Sequence, residues 1–273
     1  MKSRLLPLVL SGSLVLAVAF AANPASASRG DDEDDHGRSY EIGLIGDMPY
    51  GDAGRAQFPN VIADINRHRL AFTAFDGDLK NGKERCDQPQ YDLAAQNFAA
   101  FRDPLVYVPG DNEWTDCDRP SNGSYDPNER LALVRRMFAA TPQSLGQRTL
   151  RLERQSADYP ENVRWARGPV TYVGLNVPGS DNNAPQFDAT GKQVDGDAAE
   201  YTARNAANLA WLDSSFAAAR DAHSAAVMVV LQADMWSAGQ NHWVSATVDA
   251  HDPDVFTFHQ HVVAANVPVY VKP

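Results

Sequence analysis

Cationic side chains are scarce in this chain: 24 Lys and Arg stand against 35 Asp and Glu, leaving a formal charge of −11 at pH 7. A surface of that sign repels a phosphate backbone and an anionic bilayer alike, so nucleic acid and anionic lipid are excluded as partners. Any phosphorylated substrate needs cations gathered locally. Cysteine is scarcer still, with only Cys86 and Cys117. After residue 22 no apolar run approaches the length of a membrane-spanning helix. Nothing repeats at a fixed period, and no linker-like break interrupts the chain after residue 40. The rest is long enough to bury one sizeable core.

Residues 1–27 read as a secretory signal. Lys2 and Arg4 precede an apolar stretch over 5–22, and Ala25-Ser26-Ala27 has the small-residue pattern of a cleavage site. An uncleaved anchor is the competing reading, weakened by Pro7, Ser11, Gly12 and Ser13 within a stretch already short for spanning. Residues 28–39 carry Gly30-Asp31-Asp32-Glu33-Asp34-Asp35 and read as an acidic, disordered leader. The mature protein is therefore expected in the periplasm or outside the cell, with no stable membrane anchor. In an oxidising compartment an even pair of cysteines predicts one disulfide, Cys86 to Cys117, with two buried thiols as the alternative.

From residue 40 to 273 short apolar runs alternate with amphipathic stretches, the pattern of a mostly βαβ, α/β domain. Strands are predicted over 42–45, 71–75, 105–108, 170–175, 225–231 and 267–271, and helices over 58–68, 91–101, 128–140, 198–223 and 256–265. The strand at 170–175 has a possible pairing partner in the irregular stretch 150–165. Residues 176–197, rich in Pro, Gly, Asn and Asp, read as a long surface loop of the kind that is functional or disordered.

The first three strands each end in the same dipeptide: Gly46-Asp47, Gly77-Asp78 and Gly110-Asp111. In a parallel sheet the strand C-termini share one edge, where such folds place their ligands. Glycine lets the chain turn off a strand end and lets other groups approach the backbone closely. Carboxylates brought together repel, and a divalent cation relieves the conflict. The bland alternative is three solvated turn aspartates.

The order Gly46-Asp47-Met48-Pro49-Tyr50-Gly51-Asp52, Gly77-Asp78-Leu79-Lys80-Asn81-Gly82 and Gly110-Asp111-Asn112-Glu113-Trp114 resembles the calcineurin-like metallophosphoesterases, over residues 40 to 236. That family carries Asp-x-His, Gly-Asp and Gly-Asn-His-Asp/Glu on successive strand ends, a His after a later buried strand, and a final Gly-His-x-His. The resemblance implies a two-sheet sandwich flanked by helices. It implies hydrolysis of a small-molecule phosphate mono- or diester by a pair of metals and a bridging hydroxide. It makes Asp47, Asp78, Asp111 and Asp234 candidate metal ligands and Asn112, Glu113 and Lys80 candidate catalytic residues, with Tyr50 a further candidate.

The departures fall on the imidazoles. Pro49 stands where the first motif has His, Asp111-Asn112 where the third has Asn-His, and Gln232-Ala233-Asp234 where the later His is expected. The sequence stops before any Gly-His-x-His, which implies a chain truncated relative to the family. The ligand set left is nearly all oxygen, favouring Mg, Mn or Ca over Zn or Fe. His259 and His261 lie two apart on an expected helix and point to different faces, while His242 and His251 fall in a loop after Asp234. Two rival readings remain: a catalytically silent relative that binds a ligand or cation, and a haloacid-dehalogenase-like phosphatase with Asp76 as nucleophile. The latter leaves Asp47 and Asp111 unexplained.

Overall fold

The computed structural model describes residues 39–233 and the strand Val269–Lys272. The expected signal, the leader up to residue 38, Asp234, the four histidines beyond it and the helix at 256–265 lie outside the described residues.

Two sheets stack face to face. The first is built from β1 (Glu41–Ile45), β2 (Leu70–Phe75) and β3 (Leu105–Tyr107), all parallel. Helices α1 (Gly51–Ile65), α2 (Gln88–Ala99) and α3 (Pro127–Phe138) cover its outer side. The second contains β4 (Glu153–Arg154), β5 (Val163–Arg167), β6 (Val170–Gly174), β9 (Ala226–Val230) and β10 (Val269–Lys272), in the order β10-β9-β6-β5-β4. Its outer face carries α4 (Ala198–Asp221). A small antiparallel pair, β7 (Gln186–Phe187) and β8 (Gln193–Asp195), stands apart. The architecture is the expected α/β two-sheet sandwich flanked by helices.

Strand alternation makes the layers. Along β2 and β3, Phe72, Ala74 and Val106 face the second sheet while Phe75, Leu105 and Tyr107 face the helices. Along β6, Tyr172 faces inward and Val173 faces α4; on β9, Val227 and Val229 also face α4. Between the sheets Phe72 meets Trp165 edge-on at 5.2 Å and Tyr172 at 4.8 Å, while Trp165 and Tyr172 stack at 5.3 Å. Phe72→Ala empties the centre of this contact and is expected to lower stability by about 3–5 kcal/mol, read as a shift in denaturant midpoint.

Several element boundaries differ from the sequence expectation. The first helix starts at Gly51 rather than near residue 58, because Gly51, Gly54 and Pro59 are all accommodated within it. Part of the irregular 150–165 stretch forms β4 and β5, and β5 pairs antiparallel with β6. The 176–197 loop holds a short turn, Ser180–Asn183, and the β7–β8 hairpin. Its end is marked by Asp197, whose carboxylate caps α4 by accepting from the N–H groups of Ala199 and Glu200.

Candidate active site

The parallel order of β1, β2 and β3 brings Asp47, Asp78 and Asp111 to one edge, where all three line a cleft of about 740 Å³. Asp47 and Asp78 both adopt positive φ, 55° and 61°, as the chain turns off the strand. The glycines are needed because the strand ends abut. A Cβ on Gly77 (φ 95°) would lie 2.2 Å from the Gly110 nitrogen, and one on Gly110 would lie 2.2 Å from Asp78 Oδ1. Asp76, the nucleophile of the dehalogenase reading, is not among the cleft-lining residues; its carboxyl occupies the space beside Gly46.

Six carboxylates and a single guanidinium line the cleft: Asp47, Asp78, Asp111, Asp116, Asp181, Asp195 and Arg119. Neutral donors link the acids in series. Tyr50 Oη reaches Asp47 Oδ1 at 2.9 Å and Asp78 Oδ2 at 3.2 Å. Gln232 Nε2 then connects Asp78 Oδ2 at 3.2 Å and Asp111 Oδ1 at 3.4 Å. Ser180 Oγ reaches Asp111 Oδ2 at 2.8 Å and Asp116 Oδ1 at 2.6 Å, and Arg119 closes the series on Asp116 at 2.5 Å. A hydroxyl has one proton, so neither Tyr50 nor Ser180 satisfies both its acids at once.

The electrostatic conflict concentrates on Asp78. It is 4% exposed. Burial, then Asp111 and Glu113, push its carboxyl up to about 11. Burial and Asp111 also push Asp116 up to about 6, against Ser180 and Arg119. Burial first, then Asp78 and Asp47, hold the Tyr50 phenol well above its ordinary range, so it serves as a neutral donor.

Two candidate catalytic residues are corrected by their placement. Glu113 is fully buried behind the cleft, where its carboxylate accepts from the backbone N–H of Gly110 at 2.7 Å, that of Asp78 at 3.0 Å and the Tyr107 hydroxyl at 2.7 Å. It therefore braces two strand ends and does not face a ligand. Lys80 is also fully buried, its ammonium donating to the carbonyls of Glu84 at 2.9 Å and Asn81 at 3.3 Å. A loop lysine contacting phosphate is replaced by an internal staple of the β2–α2 loop. Asn112 does line the cleft and donates to Tyr50 Oη at 3.1 Å.

The expected disulfide Cys86–Cys117 is present, with both residues buried. It ties the β2–α2 loop to the segment after Asp111, and so holds two walls of the site together. Reduction, or Cys86→Ser with Cys117→Ser, closes no loop of 31 residues in the unfolded chain and is expected to lower stability by roughly 3–4 kcal/mol, measured by denaturation with and without reductant.

Four cleft residues escaped the sequence reading. Arg119 and Asp116 sit on the turn after β3, Ser180 on the long loop, and Gln232 just past β9. Ser180, Asp181, Asn182 and Asn183 take positive φ in succession, from 49° to 61°. Gly179 before them packs so close to Asp111 that an added Cβ would lie 2.7 Å from its Oδ2. The fully buried Arg204 of α4 holds this turn with all five of its donors. Nε and Nη2 bind Glu200 at 2.6 and 3.2 Å; Nη1 binds Asn176 O at 2.8 Å and Asn182 Oδ1 at 2.6 Å; Nη2 also binds Asn182 O at 2.7 Å. Its guanidinium stands 5.0 Å from the buried Trp114 ring. The sequence signal was a Ser-Asp-Asn-Asn run, residue types that tolerate the left-handed region.

Oxygen donors alone line the cleft, with no imidazole or thiolate among them, which in chemistry and charge fits a hard divalent cation. Among the described residues, no three His, Cys, Asp or Glu side chains form a group able to hold a metal ion as they stand. The spacing is that of a site whose acids are bridged by Tyr50, Gln232 and Ser180.

No family model matches the chain, and no curated protein matches it. Among solved structures, the chain is similar to a dimetal phosphatase from Danio rerio, at 16% identity and a TM-score of 0.41, over 70% of this chain and 68% of that one.

Proposed function

We propose that this protein is an exported, divalent-cation-dependent hydrolase of the phosphoesterase kind, acting on a small-molecule phosphate mono- or diester. The observation that carries the reading is the convergence of Asp47, Asp78 and Asp111 on one cleft, with Asp78 buried among like charges. The motif order along the chain supports it. Export rests on the N-terminal pattern and agrees with the disulfide; no helix among the described residues is long and apolar enough to cross a membrane.

Asp47, Asp78 and Asp111 would hold the cation, with Mg, Mn or Ca suited to the oxygen donors and Zn or Fe less so. A cation bound there supplies positive charge for a phosphoryl oxygen and acidifies a bound water. Arg119, half exposed at the cleft, offers a planar pair of donors to a phosphate oxygen in exchange for Asp116. The Asn112 amide can bind or orient a phosphoryl oxygen but cannot protonate a leaving group. Glu113 and the disulfide keep the acids in register from behind.

The test is hydrolysis of aryl phosphate mono- and diesters after chelation and re-addition of Mg, Mn, Ca or Zn. Cation-dependent turnover that disappears in both Asp47→Asn and Asp78→Asn supports the reading. Cation-dependent thermal stabilisation without turnover instead identifies the silent, ligand-binding relative. That second reading is favoured by the amides at Asn112 and Gln232, since Gln232 already spans Asp78 and Asp111.

A further inference from the structure

At the opposite edge of the sandwich lies a second cavity, of about 460 Å³, with the opposite electrostatic character. It is lined by Arg69, Arg102, Arg148 and Arg167 together with Tyr40, Leu70, Ala71 and Asp103. Tyr40 and Leu70 stand at the N-terminal ends of β1 and β2, Asp103 precedes β3, and Arg167 ends β5 at the turn into β6. The cavity therefore opens where the two sheets begin, away from the aspartate cleft at the strand C-termini.

Four arginines gathered against one carboxylate are unusual in a chain carrying a net charge of −11. Like charges assembled without a counter-ion raise the energy of the fold. Asp103 offsets part of this: it is buried, binds Arg102 at 2.6 Å and Arg148 at 3.2 Å, and accepts from the Leu70 N–H at 3.3 Å. One carboxylate thus fixes two guanidiniums at the cavity. Arg148 remains largely exposed despite this contact, and Arg69 is exposed and makes no ion pair among the described residues. Arg167 is steadied from behind, lying 5.9 Å from the Tyr40 ring centre while the Tyr40 hydroxyl donates to its carbonyl at 2.7 Å.

We infer that this cavity is an anion-binding site for a phosphate- or sulfate-class oxyanion, free or as the head of a larger molecule. Guanidinium forks match the oxygen pairs of such anions, and all four cations here are arginine, none lysine. Asp103 acts as a positioning residue that orders Arg102 and Arg148 before the anion arrives.

Calorimetric titration of the mature protein with inorganic phosphate and with sulfate at low ionic strength, against chloride at matched ionic strength, reads the free-anion arm. Flotation with phosphatidylcholine vesicles, with and without phosphatidic acid, reads the headgroup arm. The expected result is saturable binding in at least one arm, weakened at least about tenfold by Arg69→Ala with Arg148→Ala. These two side chains are exposed, so the double variant should fold with a melting temperature near the parent's. The cleft variant Asp78→Asn should bind as the parent does, which separates this site from the proposed hydrolase centre. No binding in either arm, a response equalled by chloride, or undiminished binding in the double arginine variant would overturn the inference.

Discussion

Arg204→Met is expected to lower the stability of this protein by about 3–5 kcal/mol, a fall in melting temperature of roughly 10 °C for a domain of this size. Methionine fills much of the same volume, so the loss is electrostatic and not a cavity. Removing the guanidinium strips the buried partner from Glu200 and leaves the Asn182 carbonyl without its donor. It also releases the turn from Ser180 to Asn183, whose successive positive φ values are unfavourable for side-chain-bearing residues. Hydrogen exchange at residues 179–184 should therefore rise more than exchange in β6 or β9. Arg204→Lys is expected to behave nearly as badly, because an ammonium cannot reproduce five donors in one plane. Equal protection of that turn in parent and variants would show that Arg204 does not hold it.

The same turn marks the limit of what the sequence discloses. The sandwich was legible because buried strands announce themselves: 225–231 is unbroken Ala, Val, Met and Leu, and β9 lies within it. Asp47, Asp78 and Asp111 were legible for a topological reason, since any parallel βαβ order places successive strand ends on one edge. Gln232 and Ser180 were not, because their partners lie far away in sequence and neither residue type signals a site on its own. Lys80 and Glu113 misled in the other direction. Both sit beside a motif aspartate, yet each turns inward to satisfy backbone groups, Lys80 on the carbonyls of Asn81 and Glu84 and Glu113 on the N–H groups of Asp78 and Gly110. Adjacency along a loop fixes the position of a Cα and leaves the direction of a long side chain open. Arg204 escaped for a similar reason: within the small-residue pattern of α4 it reads as a solvated helix arginine, while the fold gives it 0% exposure.

Asp78→Asn is expected to separate stability from activity. In the parent, a buried carboxyl faces Asp111 and Glu113, and the Asn112 N–H at 3.3 Å with the shared donors of Tyr50 and Gln232 are what offset it. Asparagine keeps an oxygen for the Asn112 N–H, tolerates the positive φ of 61°, and presents an N–H pair to Asp111 where a second carboxyl stood. Gln232 loses its contact to Asp78 and retains the one to Asp111 at 3.4 Å. The net expectation in the absence of divalent cations is a gain of about 1–3 kcal/mol, seen as a higher denaturant midpoint. Cation-dependent turnover should fall at least about 100-fold, and the rise in melting temperature on adding Mg, Mn or Ca should vanish with it. A group retained at the expense of stability points to work done on a ligand. If Asp78→Asn unfolds more easily than the parent and still turns over substrate, the buried carboxylate is a structural element, and the cation site must be sought elsewhere.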